Sequence, residues 1–360
     1  MKLEILKYLI CPACLPEENP LHPEHCQRSG EEISEGALQC SRCGQAYPIK
    51  RGVARLVTGI GGRMSDPAEI LGNPTSDIRH PISDTSSPAS VYESPEVLSA
   101  YLWSHYADLF EDPDANRAYS EWAALISPSA GAVLDAGCAV GRFCFEMSCK
   151  YDLAIGVDLS ENFVHTARRL MEERTLSFRL KEEGCIRSER TFLLPDRWDS
   201  KKVEFIVADA NALPFRSESF ACVASLNLID KIARPLEHLC EAQRSARLSN
   251  AQLLISDPFS WSETACNPDR WLGGAPGGRF AGFGIDNLAG LLSGQIDLQC
   301  PGKRGQPPSD SPTLSSGRKA GAGDRSSEWK IARTGSVWWK IRNHRNHFEL
   351  IRSLFVKAER

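Results

Sequence analysis

The stretch VLDAGCAVGR, residues 133–142, is an apolar run that ends in an acidic residue and continues into two glycines four positions apart. The apolar run predicts a buried strand. The glycines predict a tight turn in which the backbone can adopt positive φ and approach a ligand closely. We expect a helix to follow over residues 142–150. A strand, a glycine-rich turn and a helix in this order are typical of nucleotide-binding α/β sheets.

Segments on both sides of this stretch alternate between strand and helix patterns. Before it, Ser94 is expected to cap a helix that extends to about residue 110. After it come strand patterns at 153–160, 203–210, 220–230 and 251–258, and helix patterns at 161–173 and 235–248. The alternation predicts an α/β fold, a Rossmann-like parallel sheet with helices on both faces. Ligands of such sheets bind at the carboxyl ends of the strands.

Two further acidic residues end the next strands of the predicted sheet. Asp158 closes the second strand, as Asp135 nearly closes the first. A carboxylate at that position accepts hydrogen bonds from both ribose hydroxyls in dinucleotide-binding folds. Asp209 closes the third strand and is expected to reach an adenine amino group, with the backbone of Ala210 beside it. A nicotinamide dehydrogenase would share the first two elements, but the G-x-G-x-x-G form is absent here.

Together, LDAGCAVGR, GVDLS and ADANALPF resemble the class I S-adenosylmethionine-dependent methyltransferases. The resemblance implies that Asp135, Gly137 and Gly141 flank the methionine and ribose parts of the cofactor. It also implies that Asp158 holds the ribose and that Asp209 holds the adenine. We therefore expect S-adenosyl-L-methionine as the cofactor and methyl transfer as the reaction.

Four cysteines near the start of the sequence form two CxxC pairs: Cys11, Cys14, Cys40 and Cys43. Each CxxC turn points two thiolates at one ion, so the two turns together predict a tetrahedral Zn²⁺ site. Because four thiolates leave no open position for water, the zinc is expected to be structural. His22, His25 and Cys26 lie between the pairs and are alternative ligands, although we expect a polar loop there.

The residues around these cysteines, LEILKYLICPAC and LQCSRCGQAYPIKRGVARLV, resemble the Trm112-like family of small zinc domains. Residues 1–58 are therefore expected to form a zinc-ribbon-like domain of their own. The resemblance implies that this domain supports or activates a methyltransferase. Its partner is then either the rest of this chain or another protein.

Candidate acceptor-binding residues follow the fourth and fifth strands and precede the first strand. Some are polar groups that can orient a substrate, and others are aromatic rings that can stack on a flat or cationic one. They are Tyr92, His105, Asn227, Asp230, Trp261 and Trp271. Asp257 is a further candidate, for which an Asp-Pro turn at 257–258 is the alternative explanation. Methyl transfer to nitrogen needs little from a protein beyond alignment of the nucleophile with the methyl group. Core packing, turns and helix caps are the alternative explanation for each of these residues.

Three segments, VYESPEVLSAYLWSHYADLF, SLNLIDKIARP and DPFSWSETACNPDRWLGG, resemble the 4-mercaptohistidine N1-methyltransferase family of ovothiol biosynthesis. The resemblance implies a thiol-substituted imidazole as the methyl acceptor, bound near the six candidate residues. Two departures bear on the substrate. The stretch SETACNPDR differs from the family's usual sequence between the two tryptophans, and residues 173–201 resemble an insertion.

Gly-, Pro- and Ser-rich stretches divide the sequence. Residues 59–90 are expected to be a linker and residues 301–328 a disordered insertion. Residues 91–300 would form the methyltransferase domain, and residues 329–360 its closing strands. Since the CxxC thiols favour a reducing compartment and no signal peptide or membrane span is apparent, we expect a cytoplasmic protein.

The charge balance bears on the partners of the protein. A net charge of −4 is too small to indicate nucleic acid or a membrane as a partner. A small-molecule substrate is therefore the first expectation. An RNA methyltransferase is an alternative, because a zinc domain is fused to the methyltransferase pattern and residues 301–360 are basic. A degenerate, non-catalytic scaffold that binds a partner through the zinc domain is another.

Overall fold

The computed structural model describes residues 1–58, 92–300 and 329–360. The predicted linker at 59–90 and the predicted insertion at 301–328 lie outside the described residues. We call residues 1–58 the N-terminal unit and the remaining described residues the C-terminal unit. No helix within these three ranges is long and apolar enough to cross a membrane.

The described elements are thirteen strands and six α-helices, with short 3-10 turns between them. The strands are β1 Leu21–Ser29, β2 Glu32–Cys40, β3 Ala46–Lys50, β4 Val53–Leu56, β5 Ala132–Ala136, β6 Leu153–Asp158, β7 Thr175–Glu183, β8 Ile186–Leu193, β9 Val203–Ala208, β10 Phe220–Leu226, β11 Gln252–Asp257, β12 Lys330–His344 and β13 His347–Glu359. The helices are α1 Pro95–Tyr106, α2 Ala118–Leu125, α3 Arg142–Met147, α4 Glu161–Glu173, α5 Pro235–Ser245 and α6 Gly284–Leu292.

Eleven of the strands form one sheet in the order β1-β2-β3-β4-β9-β6-β5-β10-β11-β13-β12. The run from β4 to β11 is parallel, and β13 and β12 close the sheet antiparallel. Successive residues of β5 face opposite cores: Leu134 packs with α5 and α6, and Val133 packs with α1 to α4. The predicted Rossmann-like sheet with helices on both faces is thus confirmed.

The direction of the chain reverses around β5. From β5 the chain proceeds outward through β6 to β9, and then returns to β10 on the other side of β5. Ligands of open α/β sheets bind at such a reversal, outside the carboxyl ends of the strands. The topology therefore places the candidate site above β5, β6, β9 and β10.

The N-terminal unit continues this sheet. Strand β4 pairs parallel to β9, with Arg55 opposite Val207 and Leu56 opposite Ala208. Because Ala208 directly precedes Asp209, the N-terminal unit ends beside the candidate cofactor site. The expectation of a polar loop between the cysteine pairs was wrong, since this segment forms the β1–β2 hairpin. Ile33 and Leu38 of β2 anchor the hairpin in the core that both units share.

A buried ion network also joins the two units. Arg168 of α4 is 3% exposed and donates to the fully buried Glu204 of β9 at 2.7 Å. The same guanidinium pairs with Glu32 of the N-terminal unit and lies 2.9 Å from Glu172. Glu204 also accepts the backbone N–H of Lys2 at 2.6 Å. Groups of the N-terminal unit therefore bind both buried charges of the C-terminal unit: Glu32 pairs with Arg168, and the Lys2 backbone donates to Glu204.

We expect Arg168→Met to destabilise the protein by about 3–5 kcal/mol, because Glu204 would remain buried without its cation. Urea unfolding followed by circular dichroism measures the change. Arg169→Met is the matched control on the same helix. Its pair with Glu173 is half exposed, so the control should cost less than about 1 kcal/mol. Equal losses for the two variants would contradict the proposed role of the network.

Two features of the C-terminal unit were not predicted. Residues 173–201, which resemble an insertion, contain the β7–β8 hairpin, and this hairpin forms a separate two-stranded sheet. Cys240 of α5 and Cys300 form a disulfide. The two cysteines are 60 positions apart in the sequence, so no local pattern indicated the pairing.

Candidate active site

The turn after β5 has the tight geometry that its glycines predict. Gly137 has φ of 83° and Gly141 has φ of 85°, and the N–H of Gly137 donates to the carbonyl of Val157 at 2.8 Å. A Cβ on Gly137 would lie 3.0 Å from Leu228, so the turn packs against the segment that follows β10. A Cβ on Gly141 would lie 2.4 Å from Phe205, so this glycine is required for packing on β9.

Asp135 lies below this turn, near the end of β5. Its side chain is 2% exposed, and Oδ1 has no hydrogen-bond partner among the described residues. Burial, reinforced by the nearby charge of Asp158, raises the pKa of Asp135 to about 8. A buried carboxyl oxygen without a partner is costly unless a ligand supplies a donor. Asp135 could therefore hold an N–H or O–H group of a cofactor.

Asp158 ends β6 and faces the same turn. Its Oδ2 accepts the N–H of Ala139, and its Oδ1 accepts the N–H of Ser160, both at 2.9 Å. These bonds fix the orientation of the half-buried carboxylate. Burial raises the pKa of Asp158. Each carboxylate oxygen has a second lone pair, so the group can still accept one hydrogen bond from each of two hydroxyls.

The loop after β9 carries Asp209 and Ala210. Asp209 Oδ1 accepts the backbone N–H and the side-chain amide of Asn211, each at 2.8 Å, which orients its carboxylate. Asp209 Oδ2 lies 3.8 Å from a guanidinium nitrogen of Arg234. His238 of α5 supports this loop, with Nδ1 placed 3.0 Å from the carbonyl of Ala210. His238 could not be identified from the sequence, because its helical position is that of an ordinary core residue.

The segment after β10 brings Asn227 and Asp230 together. Asn227 adopts a left-handed φ of 56°, and its buried Oδ1 has no partner among the described residues. Asp230 is fully buried. Its Oδ2 accepts the N–H of Ser260 at 2.8 Å and lies 3.2 Å from Lys231 Nζ, whereas its Oδ1 likewise has no described partner. Strained backbone and unpartnered oxygens in one segment are typical of a functional site.

Two tyrosines connect this segment to the cofactor side. The rings of Tyr92 and Tyr101 meet edge to face at 6.2 Å. Burial raises the pKa of both phenols, and the charges of Asp158 and Asp230 raise it further, although Lys231 opposes the rise at Tyr92. The charges of both carboxylates therefore influence Tyr92 and Tyr101. Tyr101 was missed in the sequence, although it lies one helical turn before a predicted site residue.

His105 lies behind Tyr101 in α1. Its imidazole is 2% exposed, its ring centre is 6.0 Å from that of Tyr101, and its Nε2 is 2.6 Å from the hydroxyl of Tyr119. Burial, followed by the charge of Arg142, lowers the pKa of His105 well below its usual value. His105 is therefore neutral near pH 7. Arg142, which was not predicted, also binds the carbonyl of His105 and the carboxylate of Asp108, both at 2.7 Å.

Trp261 and Trp271 stack on each other after β11. Their ring centres lie 6.1 Å apart with an interplanar angle of 15°. Trp271 Nε1 donates to the carbonyl of Cys266 at 2.9 Å, whereas the buried Nε1 of Trp261 has no described partner. One face of each ring is thus directed at the other tryptophan. Of the two, Trp261 retains a polar atom that a ligand could use.

The four predicted zinc ligands form one cluster. Their sulfur atoms all lie within 4.8 Å of one another, with Cys11 and Cys43 at 3.6 Å and Cys14 and Cys40 at 3.8 Å. Tetrahedral zinc with Zn–S bonds of about 2.3 Å places sulfurs about 3.8 Å apart. The cluster could therefore hold Zn²⁺ with small adjustments. Within the described residues, this metal-binding group does not include His22, His25 or Cys26.

Comparison with known proteins gave two family matches. A methyltransferase domain matches residues 134–249, and a Trm112p-like protein matches residues 2–52. A search of curated proteins gave no match.

Several solved structures are similar to the chain. A Bacillus halodurans protein described as a methyltransferase is 19% identical over 39% of this chain and 50% of its own, with a TM-score of 0.30. Phosphoethanolamine N-methyltransferase 2 of Haemonchus contortus, in complex with S-adenosyl-L-methionine, is 19% identical over 48% of this chain and 36% of its own, with a TM-score of 0.36. A complex of the Haloferax volcanii Trm112 methyltransferase activator with a methyltransferase is 18% identical over 45% of this chain and 60% of its own, with a TM-score of 0.30. The chain thus spans half or less of the length of the Bacillus halodurans and Haemonchus contortus proteins.

The two matched segments correspond to the two units. Residues 134–249 begin in β5 and extend past α5, so they contain the glycine turn, Asp158 and Asp209. Residues 2–52 contain the four cysteines and strands β1 to β3. The chain therefore contains a segment that matches a methyltransferase domain, preceded by a segment that matches the Trm112p-like proteins.

Proposed function

We propose that the chain transfers a methyl group from S-adenosyl-L-methionine to a nitrogen of a small imidazole-type acceptor, such as a mercaptohistidine. The observation that carries this proposal is the pair of unpartnered buried oxygens, Asn227 Oδ1 and Asp230 Oδ1, in the segment whose Leu228 packs against the glycine turn. Oxygens of this kind accept hydrogen bonds and therefore require a ligand with N–H or O–H donors. A nitrogen heterocycle meets that requirement, whereas a phosphate or a carboxylate does not.

The cofactor assignment follows from the strand ends. Asp158 would hold the ribose hydroxyls, Asp209 and the Ala210 backbone the adenine, and Asp135 the methionine amino group. Gly137 would let the backbone approach the cofactor closely, and Gly141 would keep the turn packed. When bound, the cofactor supplies an electrophilic methyl group on its sulfonium sulfur.

The acceptor side would be formed by residues of three segments. Tyr92 and Trp261 would provide aromatic walls, and Asn227 and Asp230 would orient the nitrogen heterocycle between them. We assign His105 and Trp271 supporting positions. His105 holds the aromatic cluster behind Tyr92, and Trp271 holds the ring of Trp261.

We propose that the N-terminal unit binds structural Zn²⁺ and acts on its own chain. Two observations support action in cis: the parallel pairing of β4 with β9, and the ion network around Arg168. A further protein partner remains compatible with the exposed parts of the unit. The zinc thiolates favour a reducing compartment, for which we propose the cytoplasm, although a disulfide such as Cys240–Cys300 is rare there.

The decisive experiment is calorimetric titration with S-adenosylhomocysteine, followed by transfer of labelled methyl to histidine, 4- and 5-mercaptohistidine, and bulk RNA. We expect cofactor binding and label in a mercaptohistidine. If labelled methyl appeared only in RNA, RNA would be the acceptor in place of the proposed imidazole. No binding of S-adenosylhomocysteine would instead favour a non-catalytic scaffold.

One observation favours RNA as a second candidate substrate. A cavity of about 490 Å³ lies between the N-terminal unit and α4, and Lys50, Arg51 and Arg55 contribute to its lining. Cations in a groove attract phosphates, and binding of that kind weakens steeply with salt. Gel shifts with tRNA and rRNA fragments across salt concentrations test this candidate. Glu161 in the same cavity pairs with Arg55 and reduces its positive charge.

A further inference from the structure

We propose that Asp230 is the proton acceptor of the methyl-transfer reaction and that Asp257 is its positioning residue. The inference rests on the proposed function and extends it to an acceptor that carries an N–H group. Asp230 and Asp257 lie at the carboxyl ends of the adjacent parallel strands β10 and β11. Both side chains are fully buried.

The two carboxylate oxygens of Asp230 differ: Oδ2 has hydrogen-bond partners, and Oδ1 is available to a ligand. The N–H of Ser260 and the ammonium of Lys231 stabilise negative charge at Oδ2, at 2.8 and 3.2 Å. Oδ1 has no partner among the described residues. A carboxylate that is fixed at one oxygen can present the other to a substrate proton with little loss of conformational freedom.

Asp257 positions the turn that carries Asp230. Its Oδ2 accepts the backbone N–H of Asp230 at 3.3 Å, and its Oδ1 accepts the N–H of Phe259 at 2.7 Å. Burial, followed by the charge of Asp230, raises the pKa of Asp257 well above its ordinary value. Two carboxyl groups buried side by side do not both ionise readily, so Asp257 is the one that favours its protonated form.

The segment that carries Asp230 packs against the cofactor turn. Leu228 packs against Gly137, which keeps the segment after β10 beside that turn. Asn227 and Phe259, on either side of the carboxyl pair, adopt left-handed φ values of 56° and 54°. Residues other than glycine adopt such φ values at an energetic cost. Residues strained in this way are common at functional sites.

The chemistry balances with one proton acceptor. The lone pair of the unprotonated ring nitrogen forms the new N–CH₃ bond, and the S–CH₃ bond breaks with its electrons remaining on sulfur. The ring then carries a positive charge and releases its remaining N–H proton to Asp230 Oδ1. Before that transfer, Asn227 Oδ1 and Asp230 Oδ1 would share the same N–H group. Asp230 returns the proton to solvent after the product leaves.

The test compares Asp230→Asn, Asp230→Glu and Asp257→Asn with Asp269→Asn, an exposed aspartate of a nearby loop. We expect Asp230→Asn to lower kcat for a mercaptohistidine about 100-fold or more. It should also remove the low-pH limb of the rate profile, while Asp230→Glu retains part of the activity. Asp257→Asn should displace that limb, and Asp269→Asn should change nothing. The titratable groups that interact with Asp230 and also affect this profile are Lys231, Asp257, Tyr92 and Tyr101.

Two binding measurements separate the possible failures. Unchanged affinity for S-adenosylhomocysteine shows that each variant is folded. Calorimetric titration of the S-adenosylhomocysteine-loaded protein with 5-mercaptohistidine should show about 10-fold weaker binding to Asp230→Asn, because a hydrogen-bonded group is lost. Wild-type protein that methylates no mercaptohistidine would overturn the proposed function. Wild-type activity in Asp230→Asn, with an unchanged pH profile, would overturn this inference alone.

Discussion

Asp158→Ala is expected to abolish detectable binding of S-adenosylhomocysteine while the protein remains folded. The carboxylate already accepts the N–H groups of Ala139 and Ser160, so it is held in place before any ligand arrives. Two hydrogen bonds from ribose hydroxyls to a charged group contribute about 1.5–3 kcal/mol each. Their loss predicts an affinity at least about 100-fold weaker, since each 1.4 kcal/mol is about tenfold.

Calorimetry at matched protein concentration measures this affinity, and circular dichroism reports whether the sheet is retained. Asp196→Ala is the control, because Asp196 is exposed in the loop after β8. Asp158→Asn gives an intermediate test, since one carbonyl oxygen and the shape of the side chain remain. Affinity for the cofactor product that is unchanged in Asp158→Ala would refute the ribose assignment.

The parallel core of the fold could be predicted because its strands are buried on both faces. Such strands appear in a sequence as continuous apolar runs, as in FIVA of β9 and LLIS of β11. Helix α4 was also predicted with its observed ends, since Ser160 caps it and Arg174 terminates it in a left-handed conformation. Helix α3 ends earlier than predicted. The hydroxyl of Ser148 donates to the carbonyl of Phe145 and so competes with the helical hydrogen bonds.

The continuation of the sheet into the N-terminal unit could not be predicted in the same way. Strand β4 has only four residues, and its partner β9 lies far along the sequence. Strand β1 is mostly exposed, so it lacks the apolar alternation that identifies a strand. Helix α2 has no side-chain cap at its start, which removes the usual signal for a helix N-terminus.

For the candidate site, the sequence indicated residues at strand ends but not the groups that hold them. Asp135, Asp158 and Asp209 end strands, and this position in a parallel sheet indicates ligand binding without knowledge of any contact. His238 and Asp257 act through contacts between segments that are distant in the sequence. Asp257 precedes a proline, and a turn explained it equally well before its burial beside Asp230 was known.

Cys11→Ser is expected to reduce bound zinc to less than about a tenth of an equivalent and to loosen the N-terminal unit, because structural zinc domains depend on their metal for folding. Cys26→Ser is the matched control. Cys26 is a free cysteine of the same unit, outside the four-sulfur cluster, and its loss should leave the metal in place. Elemental analysis of the purified variants measures the metal. A full equivalent retained by Cys11→Ser would refute the four-cysteine assignment.

The same variant should also weaken cofactor binding, although Cys11 lies in a different unit from Asp209. Loss of the metal removes the support of β4, and β4 pairs with β9 up to Ala208, the residue before Asp209. We expect affinity for S-adenosylhomocysteine to fall by about 10-fold, which corresponds to about 1.4 kcal/mol. Loss of zinc with unchanged cofactor affinity would mean that β9 holds the adenine loop without β4. The N-terminal unit would then have to serve the enzyme in another way.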